Sequence, residues 1–230
     1  MSQIKPNRPA EQFIRYALSI GAIELIPEGR ALKSGRISPY FFNAGKFDSA
    51  HAMLRLASAY TVPLGSGLGF NTLYGPPYKG TILVPAVAMY LGLSSARNYD
   101  IRFCTSRKEV KDHGEGGSLI GAPIRPDDRV VIVDDVITDG GTKKEAVEFI
   151  RHSGGIPAGI VIAFDRQERG SGELSAVQEF EREYGIPVLP VATHADLISV
   201  LRQIPAESGD DEMGEILEKI LAYQKLYGIA

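Results

Sequence analysis

Apolar residues along this chain follow two patterns: short runs of β-branched and aliphatic residues, and longer stretches with one apolar face. The short runs predict strands, and the longer stretches predict helices. The predicted strands are 72–74, 101–105, 130–133, 159–164 and 188–192, and the helices between and after them are 81–93, 142–153, 173–184 and 195–201. This alternation predicts an α/β fold with a mostly parallel central sheet flanked by helices.

Less regular segments lie on both sides of this part. A helix is predicted over 10–23, followed by short strands in the Gly/Pro/Ser-punctuated stretch "ALKSGRISPYFFNAG". A second helix is predicted over 48–60, with Asp48 or Ser49 as its N-cap. The polar connector "PAESGDDE" then precedes a final amphipathic helix over 213–227.

Composition narrows the classes of function. The chain has 230 residues, a net charge of −3 and a pI of about 5.9, so it has no global positive field for nucleic acid or an anionic membrane. Its single cysteine, Cys104, excludes an internal disulfide and predicts a reducing, cytoplasmic location. No apolar run predicts a signal peptide or a membrane span.

The stretch "VVIVDDVITDGGTKKEAV", residues 130–147, combines several chemical groups. Asp134 and Asp135 follow an apolar strand, and ligands of parallel sheets bind beyond the carboxyl ends of the strands. Carboxylates at that position can accept hydrogen bonds from a sugar diol or hold a cation. The glycine-rich segment 138–142 then opens a helix, where backbone N–H groups can bind an anion.

Together these groups describe a ribose 5-phosphate site. For a glycine-rich loop alone, a plain turn with capping acids is an equally good interpretation, but the full run of features favours the ligand site. The segment fits neither the Gly-Lys-Ser/Thr ending of a Walker A loop nor the spacing of a dinucleotide fingerprint.

The segment resembles the phosphoribosyl-diphosphate (PRPP) binding motif of the type I phosphoribosyltransferases. Within that family the chain is similar to the members that act on orotate. Five segments follow that family's order over about 32–170: "LKSGRISPYFFNAG", "YGPPYKG", "SRKEVKDHGEGG", "VVIVDDVITDGGT" and "FDRQERG".

The resemblance implies the type I phosphoribosyltransferase fold, with a small N-terminal hood subdomain on the central sheet. We expect one domain over 1–230: about 1–47 contributes the first helix and hood strands, about 70–203 the PRPP-binding core, and 211–227 the C-terminal helix. The implied reaction transfers the 5-phosphoribosyl group from PRPP to N1 of orotate, giving orotidine 5'-phosphate and pyrophosphate in pyrimidine biosynthesis.

The resemblance also implies a role for individual residues. The PRPP ligands would be Lys79, Arg107, Lys108, Lys111, His113, Asp134, Asp135, Val136, Ile137, Thr138, Asp139, Gly140, Gly141 and Thr142. Of these, Arg107, Lys111, His113, Asp134 and Asp135 would be catalytic. The orotate ligands would be Lys33, Phe41, Phe42, Tyr78, Thr138 and Arg166. Mg²⁺ would be held mainly by PRPP oxygens, with Asp134 and Asp135 acting through water.

The basic segment 106–118 has two interpretations. A charged, Gly-rich loop is often a solvated connection, but cations on a mobile loop also suit a lid over a diphosphate. The resemblance implies such a lid, closing over the active site of the neighbouring subunit of a homodimer.

Two residues depart from the family's pattern. Pro77 stands where alanine is common, and it removes one N–H donor from the pyrophosphate loop. Asp139 places an acid inside the phosphate cradle, where we expect only its backbone to face the phosphate.

Three alternatives remain open. A phosphoribosyltransferase for a purine or uracil would share the PRPP motif. A PRPP-sensing regulator would keep the site without catalysis, but it should carry a basic nucleic-acid face, and none is visible. A fusion with orotidine decarboxylase would need more than 230 residues. His51, His152 and His194 lack metal-ligand spacing and are interpreted as structural.

Overall fold

The computed structural model describes residues 9–94, 100–111, 117–137, 141–170, 172–208 and 211–229, without the side chains of 108–111, 117–118, 205–208 and 211. Its strands are β1 (Ile23–Ala31), β2 (Ile37–Phe42), β3 (Thr72–Gly75), β4 (Arg102–Lys111), β5 (Gly117–Gly121), β6 (Arg129–Asp134), β7 (Ile156–Asp165) and β8 (Val188–Thr193). Its helices are α1 (Pro9–Ser19), α2 (Ala50–Leu64), α3 (Lys79–Ser94), α4 (Gly141–His152), α5 (Ala176–Tyr184), α6 (His194–Ser208) and α7 (Asp211–Tyr227).

Six strands form the central sheet in the order β5-β4-β3-β6-β7-β8. All neighbours are parallel except β5, which pairs antiparallel with β4 at one edge. The predicted α/β class with a mostly parallel sheet is therefore confirmed. Because Thr72 of β3 lies opposite both Arg102 and Val130, the carboxyl ends of β3, β4 and β6 meet at one edge of the sheet.

Side chains of the sheet alternate between two buried clusters. Leu73 and Val131 point to the face covered by α2 and α3, whereas Tyr74 and Ile132 point to the face covered by α4 and α5. Strands buried on both faces read as continuous apolar runs, which explains the pattern of β6. None of the helices in the described ranges has the length and apolarity needed to cross a lipid bilayer.

A separate two-stranded antiparallel sheet, β1 with β2, lies next to helix α7. This N-terminal sheet contributes Tyr40, whose ring contacts four side chains of the main body, among them Phe164 of β7, which it meets edge-on at 6.2 Å. The Tyr40 ring stacks on His194 with 5.3 Å between centroids, meets Tyr223 of α7 edge-on at 6.4 Å, and lies under the Arg166 guanidinium at 4.2 Å. This buried ring therefore helps to hold the hood, the sheet of β1 and β2, against the core and against α7.

Several predicted boundaries were wrong. The predicted strand 101–105 extends to Lys111, and β5 was missed, so the described ends of the predicted loop 106–118 are antiparallel strands. The predicted helix 10–23 ends earlier, at Ser19, before Gly21 with its φ of 68°. Helix α5 starts later than predicted because Ser175 is its N-cap and forms a capping box with Gln178. Helix α6 is longer than the predicted 195–201.

We predict that His194 makes folding stability depend on pH. Burial, and secondly the nearby Arg166 cation, lower the pKa of His194 to about 4. An unfolded histidine titrates near its ordinary value, so the unfolded state takes up a proton first as pH falls, and stability is lost below pH ~6.5. From pH 7 to pH 5 this group alone should cost about 2 kcal/mol.

Urea unfolding at both pH values would measure this loss in the wild type and in His194→Phe. The phenylalanine variant should lose about 2 kcal/mol less on acidification. His152→Gln, at an exposed histidine of α4, is the control and should keep the wild-type dependence. An unchanged dependence in His194→Phe would contradict the assignment.

Candidate active site

Asp134 is the last residue of β6 and lies almost completely buried, at 4% exposure. One oxygen of its carboxylate, Oδ1, accepts the Asp135 backbone N–H at 2.9 Å, and Oδ2 lies 2.6 Å from the Lys143 ammonium. The Tyr60 hydroxyl donates to its backbone carbonyl at 2.7 Å. Asp134 is therefore held in place by contacts from the strand end, from helix α4 through Lys143 and from helix α2 through Tyr60.

Asp135 is more open and only half-buried. Its Oδ1 accepts the Val136 N–H at 2.9 Å, and its carbonyl accepts the N–H groups of Ala163 and Phe164. Burial, then the adjacent Asp134 carboxylate, raise the pKa of Asp135, and Lys143, the Val136 N–H and Lys79 partly oppose that shift. The pair thus places two acids at the carboxyl edge, as predicted from their position after an apolar strand.

The loop between β3 and α3 brings two glycines into very close contact. A Cβ on Gly75 would lie 2.1 Å from the Gly80 carbonyl oxygen, and a Cβ on Gly80 would lie 2.7 Å from the Gly75 carbonyl carbon. The peptide between Pro77 and Tyr78 is cis. The close contact of the two glycines places Lys79, the first residue of α3, at the carboxyl edge of the sheet. Its charge there acts on Asp135.

Hydroxyl groups connect β3, β4 and α3 at the carboxyl edge of the sheet. Thr105 Oγ1 donates to the Gly75 carbonyl at 2.6 Å and lies 2.9 Å from Thr81 Oγ1. Tyr74 donates to Ser106 at 2.8 Å. Arg107 follows on β4, and its Nε is buried without a hydrogen-bond partner among the described residues.

Arg166, at the end of β7, has a fixed guanidinium. Its Nε donates to Glu168 at 2.7 Å, Nη2 donates to Ser38 at 2.8 Å, and the plane covers the Tyr40 ring. Burial lowers the pKa of Arg166, but Tyr40 and Glu168 raise it, and the net direction is upward, so the group stays cationic. The partners Ser38 and Tyr40 come from hood strand β2.

The two adjacent phenylalanines of β2 occupy different environments. Phe42 is buried and stacks on Phe164, with 5.5 Å between ring centroids. Phe41 is half-buried, with the Arg30 guanidinium 4.1 Å from its ring. Because successive side chains of a strand point to opposite faces, one face carries Phe41 and the other Phe42. Lys33 and Tyr78 are exposed, Lys33 on the turn between β1 and β2.

Part of the predicted site lies outside the described residues, namely His113, Thr138, Asp139 and Gly140, together with the side chains of Lys108 and Lys111. Gly141 and Thr142 are the first residues of α4, and Val136 and Ile137 follow the acid pair at the end of β6. In the described ranges no cluster of three or more His, Cys, Asp or Glu side chains forms a metal cage.

Sequence reasoning missed Lys143, the partner of Asp134. The signal was available, because Lys143 occupies the inward stripe of α4 together with the buried residues Ala146, Val147 and Ile150. Lysine at such a position is rarely buried unless it is paired. The roles of Ser38 and Glu168 in fixing Arg166 were also missed.

The sheet is open and mostly parallel, and an acid pair lies at the carboxyl ends of its strands, before a helix that follows a glycine-rich segment. This arrangement is that of a phosphoribosyltransferase domain. The family model named phosphoribosyl transferase domain matches residues 66–185. An orotate phosphoribosyltransferase of Neisseria meningitidis serogroup C is 47% identical over 221 residues, covering 95% of this chain and 97% of the relative. The relative of the same name from Thioalkalivibrio sulfidiphilus is 46% identical over 220 residues, with the same coverage of 95% and 97%.

A solved structure agrees with these sequences. The crystal structure of an orotate phosphoribosyltransferase from Francisella tularensis superposes with a TM-score of 0.78 at 32% identity, covering 94% of this chain and 99% of that one. The chain belongs to the orotate phosphoribosyltransferase family. The resemblance and the fold predicted from the five sequence segments are therefore confirmed.

We predict that the contact between Gly75 and Gly80 tolerates no side chain. Gly80→Ala should lower the free energy of unfolding by about 1–3 kcal/mol, because its methyl group would overlap backbone atoms. Gly92→Ala, in the same helix with nothing within 4 Å of its Cβ, should keep or raise stability by up to about 1 kcal/mol. Urea denaturation of both variants measures the difference, and equal stabilities would show that the loop can relax.

Proposed function

We propose that this chain transfers the 5-phosphoribosyl group from PRPP to N1 of orotate, releasing pyrophosphate and orotidine 5'-phosphate for pyrimidine biosynthesis. The observation that carries the proposal is the Asp134-Asp135 pair at the carboxyl end of β6, in a chain of this family. Its two acids lie beside the start of α4, where a 5-phosphate can meet backbone N–H groups.

Fixed charges are the main source of catalysis in this proposal. As the bond from C1 to the diphosphate lengthens, positive charge develops on the ribose and negative charge on the leaving group. Asp135 presents a carboxylate to the ribose. Lys79, the first residue of α3, and Arg107, within β4, neutralise the diphosphate. The reaction needs no covalent nucleophile from the protein.

The acid pair also fits Mg²⁺, which binds oxygen ligands and usually keeps several waters beside one or two carboxylates and substrate phosphates. Asp135 uses one carboxylate oxygen for the Val136 N–H, and Asp134 uses both of its oxygens within the protein. We therefore infer that PRPP supplies most Mg²⁺ ligands and that the aspartates act through water. When bound, the ion would neutralise diphosphate charge.

For orotate we propose Arg166 as the principal anchor. A guanidinium binds a carboxylate or a pyrimidine carbonyl through its planar fork. Phe41, Tyr78 and Lys33 are the proposed neighbours of the base, together with Thr138 of the glycine-rich loop. Phe42 would support the base-binding residues from the core side, because it is packed against Phe164.

We further propose that the segment 106–118, with Lys108, Lys111 and His113, is the lid and that it acts across a homodimer. Support comes from helix α3, whose 16 residues include a single charge, Lys79. Its outward side chains Ile82, Met89 and Leu93 are 61%, 66% and 82% exposed, which is unusual for an apolar stripe on a monomer surface.

The stripe continues toward the proposed lid. Phe103 of β4 and Ile120 of β5, 38% and 47% exposed, lie by register on the sheet face that α3 covers. A pocket of about 370 Å³ at the start of α3 is lined by Ile82, Met53 and Lys79, among others. A second copy seated on this surface would lie close to both the active-site edge and the lid strands. The buried Cys104 thiol suits work in the reducing cytoplasm.

The first test follows orotate consumption by ultraviolet absorbance with PRPP and Mg²⁺, beside parallel reactions with uracil, adenine, hypoxanthine and guanine. We expect consumption of orotate alone. Lys111→Ala should lower kcat at least about a hundredfold, because a cation on the diphosphate is lost. Lys225→Ala, at an exposed lysine of α7, should match the wild type. Reaction with another base would indicate a different phosphoribosyltransferase, and PRPP binding without any reaction would indicate a sensor.

The second test asks whether the lid serves the neighbouring subunit. Lys111→Ala and Asp135→Asn should each be nearly inactive, because one lacks the lid cation and the other the ribose carboxylate. Mixed subunits should recover about a quarter of wild-type activity, since half of the dimers are hybrids and each hybrid has one intact site. The same mixture carrying Met89→Lys should stay inactive and monomeric by light scattering. Hybrid dimers without recovered activity would contradict a shared site.

A further inference from the structure

Lys143 is the only lysine among the buried residues that the structure describes. Its ammonium lies 2.6 Å from Asp134 Oδ2, and the two side chains are 8% and 6% exposed. A buried ammonium is costly unless it is paired, so this contact is a specific feature of the fold and differs from a surface ion pair. The neighbouring Lys144 shows the contrast, because it pairs with Glu183 in solvent, with side chains 41% and 52% exposed.

The position of Lys143 in α4 explains why its charge cannot turn outward. Lys143, Ala146, Val147 and Ile150 share the buried face of the helix. The lysine is in the first turn, immediately after the glycine-rich segment that follows β6. The helix therefore delivers a cation to the end of the strand that carries the acid pair.

This cation makes the two aspartates unequal. The Asp134 carboxylate is held on both oxygens, by the Asp135 N–H and by Lys143, whereas the Asp135 carboxylate accepts one hydrogen bond from the described residues, that of the Val136 N–H. Each carboxylate oxygen can accept two hydrogen bonds, so Asp134 keeps acceptor capacity for a hydroxyl in a fixed direction. Lys143 also offsets one of two adjacent negative charges.

We propose that Lys143 is a positioning residue for the phosphoribosyl transfer: it fixes and charge-balances Asp134 so that this carboxylate accepts one ribose hydroxyl of PRPP, and leaves Asp135 as the acid that faces the developing cation. This inference rests on the proposed function, since it assigns a role within the same site. It requires that Lys143 act only through Asp134.

The test measures PRPP binding by calorimetry and PRPP kinetics with orotate for Lys143→Met and for the matched control Lys144→Met. Lys143→Met should weaken PRPP binding and lower kcat/KM for PRPP by about tenfold to a hundredfold, with the KM for orotate unchanged. Lys144→Met should behave as the wild type. Because binding is measured without a base, a wild type that binds PRPP but converts no base would overturn the proposed reaction and leave the Lys143 assignment decided by calorimetry.

The 2-deoxy and 3-deoxy analogues of PRPP separate positioning from general damage. The Lys143→Met penalty should disappear with the analogue that lacks the hydroxyl accepted by Asp134. An equal penalty with PRPP and both analogues, or no difference between Lys143→Met and Lys144→Met, would overturn the proposal.

A second comparison covers the case in which Lys143→Met does not fold because it leaves a buried carboxylate unpaired. The double variant Asp134→Asn with Lys143→Met has neither charge. It should bind PRPP as weakly as Asp134→Asn alone, since Lys143 then has nothing to position. A further loss of about tenfold in the double variant would show that Lys143 acts on its own and would overturn the proposal.

Discussion

Two carboxylates at the end of the central strand must stay charged in a place where the fold removes most of their water. Adjacent like charges raise each other's pKa, and burial adds to that effect, as the raised pKa of Asp135 shows. The surrounding elements answer this constraint with cations and N–H groups: Lys143 from α4, Lys79 from α3, and the backbone of residues 135 and 136. The placement of both helices around β6 therefore has an electrostatic consequence as well as a packing one.

A similar constraint applies to the cation at the end of β7. Arg166 is held by Glu168 on its own loop and by Ser38 and Tyr40 of the hood. The same loop is tied to the C-terminus, because Arg169 N–H donates to the Tyr227 carbonyl and Ile229 N–H donates to the Gln167 carbonyl. The hood strands, the loop after β7 and the C-terminal helix are therefore directly connected, although they lie far apart in sequence.

The sequence predicted the central strands and most helices because buried parallel strands and amphipathic helices have strong local patterns. It also placed Asp134 and Asp135 correctly, since a strand end is visible as a change from apolar to polar residues. It did not predict β5 or the extension of β4, because a polar edge hairpin has no apolar alternation to mark it. Nor did it predict the Lys143 and Glu168 contacts, which depend on how elements pack in three dimensions and not on local spacing.

These contacts suggest how one fold separates two tasks within a single acid pair. A carboxylate that must hold a substrate group in a fixed direction benefits from being held itself, even though a cationic partner then offsets its negative charge. A carboxylate that must stabilise developing positive charge benefits from keeping that charge unneutralised until the transition state. Asp134, fixed on both oxygens, suits the first task, and Asp135, with one backbone hydrogen bond and partial exposure, suits the second. The buried lysine in the first turn of α4 holds the second carboxylate oxygen of Asp134 and so contributes to that difference.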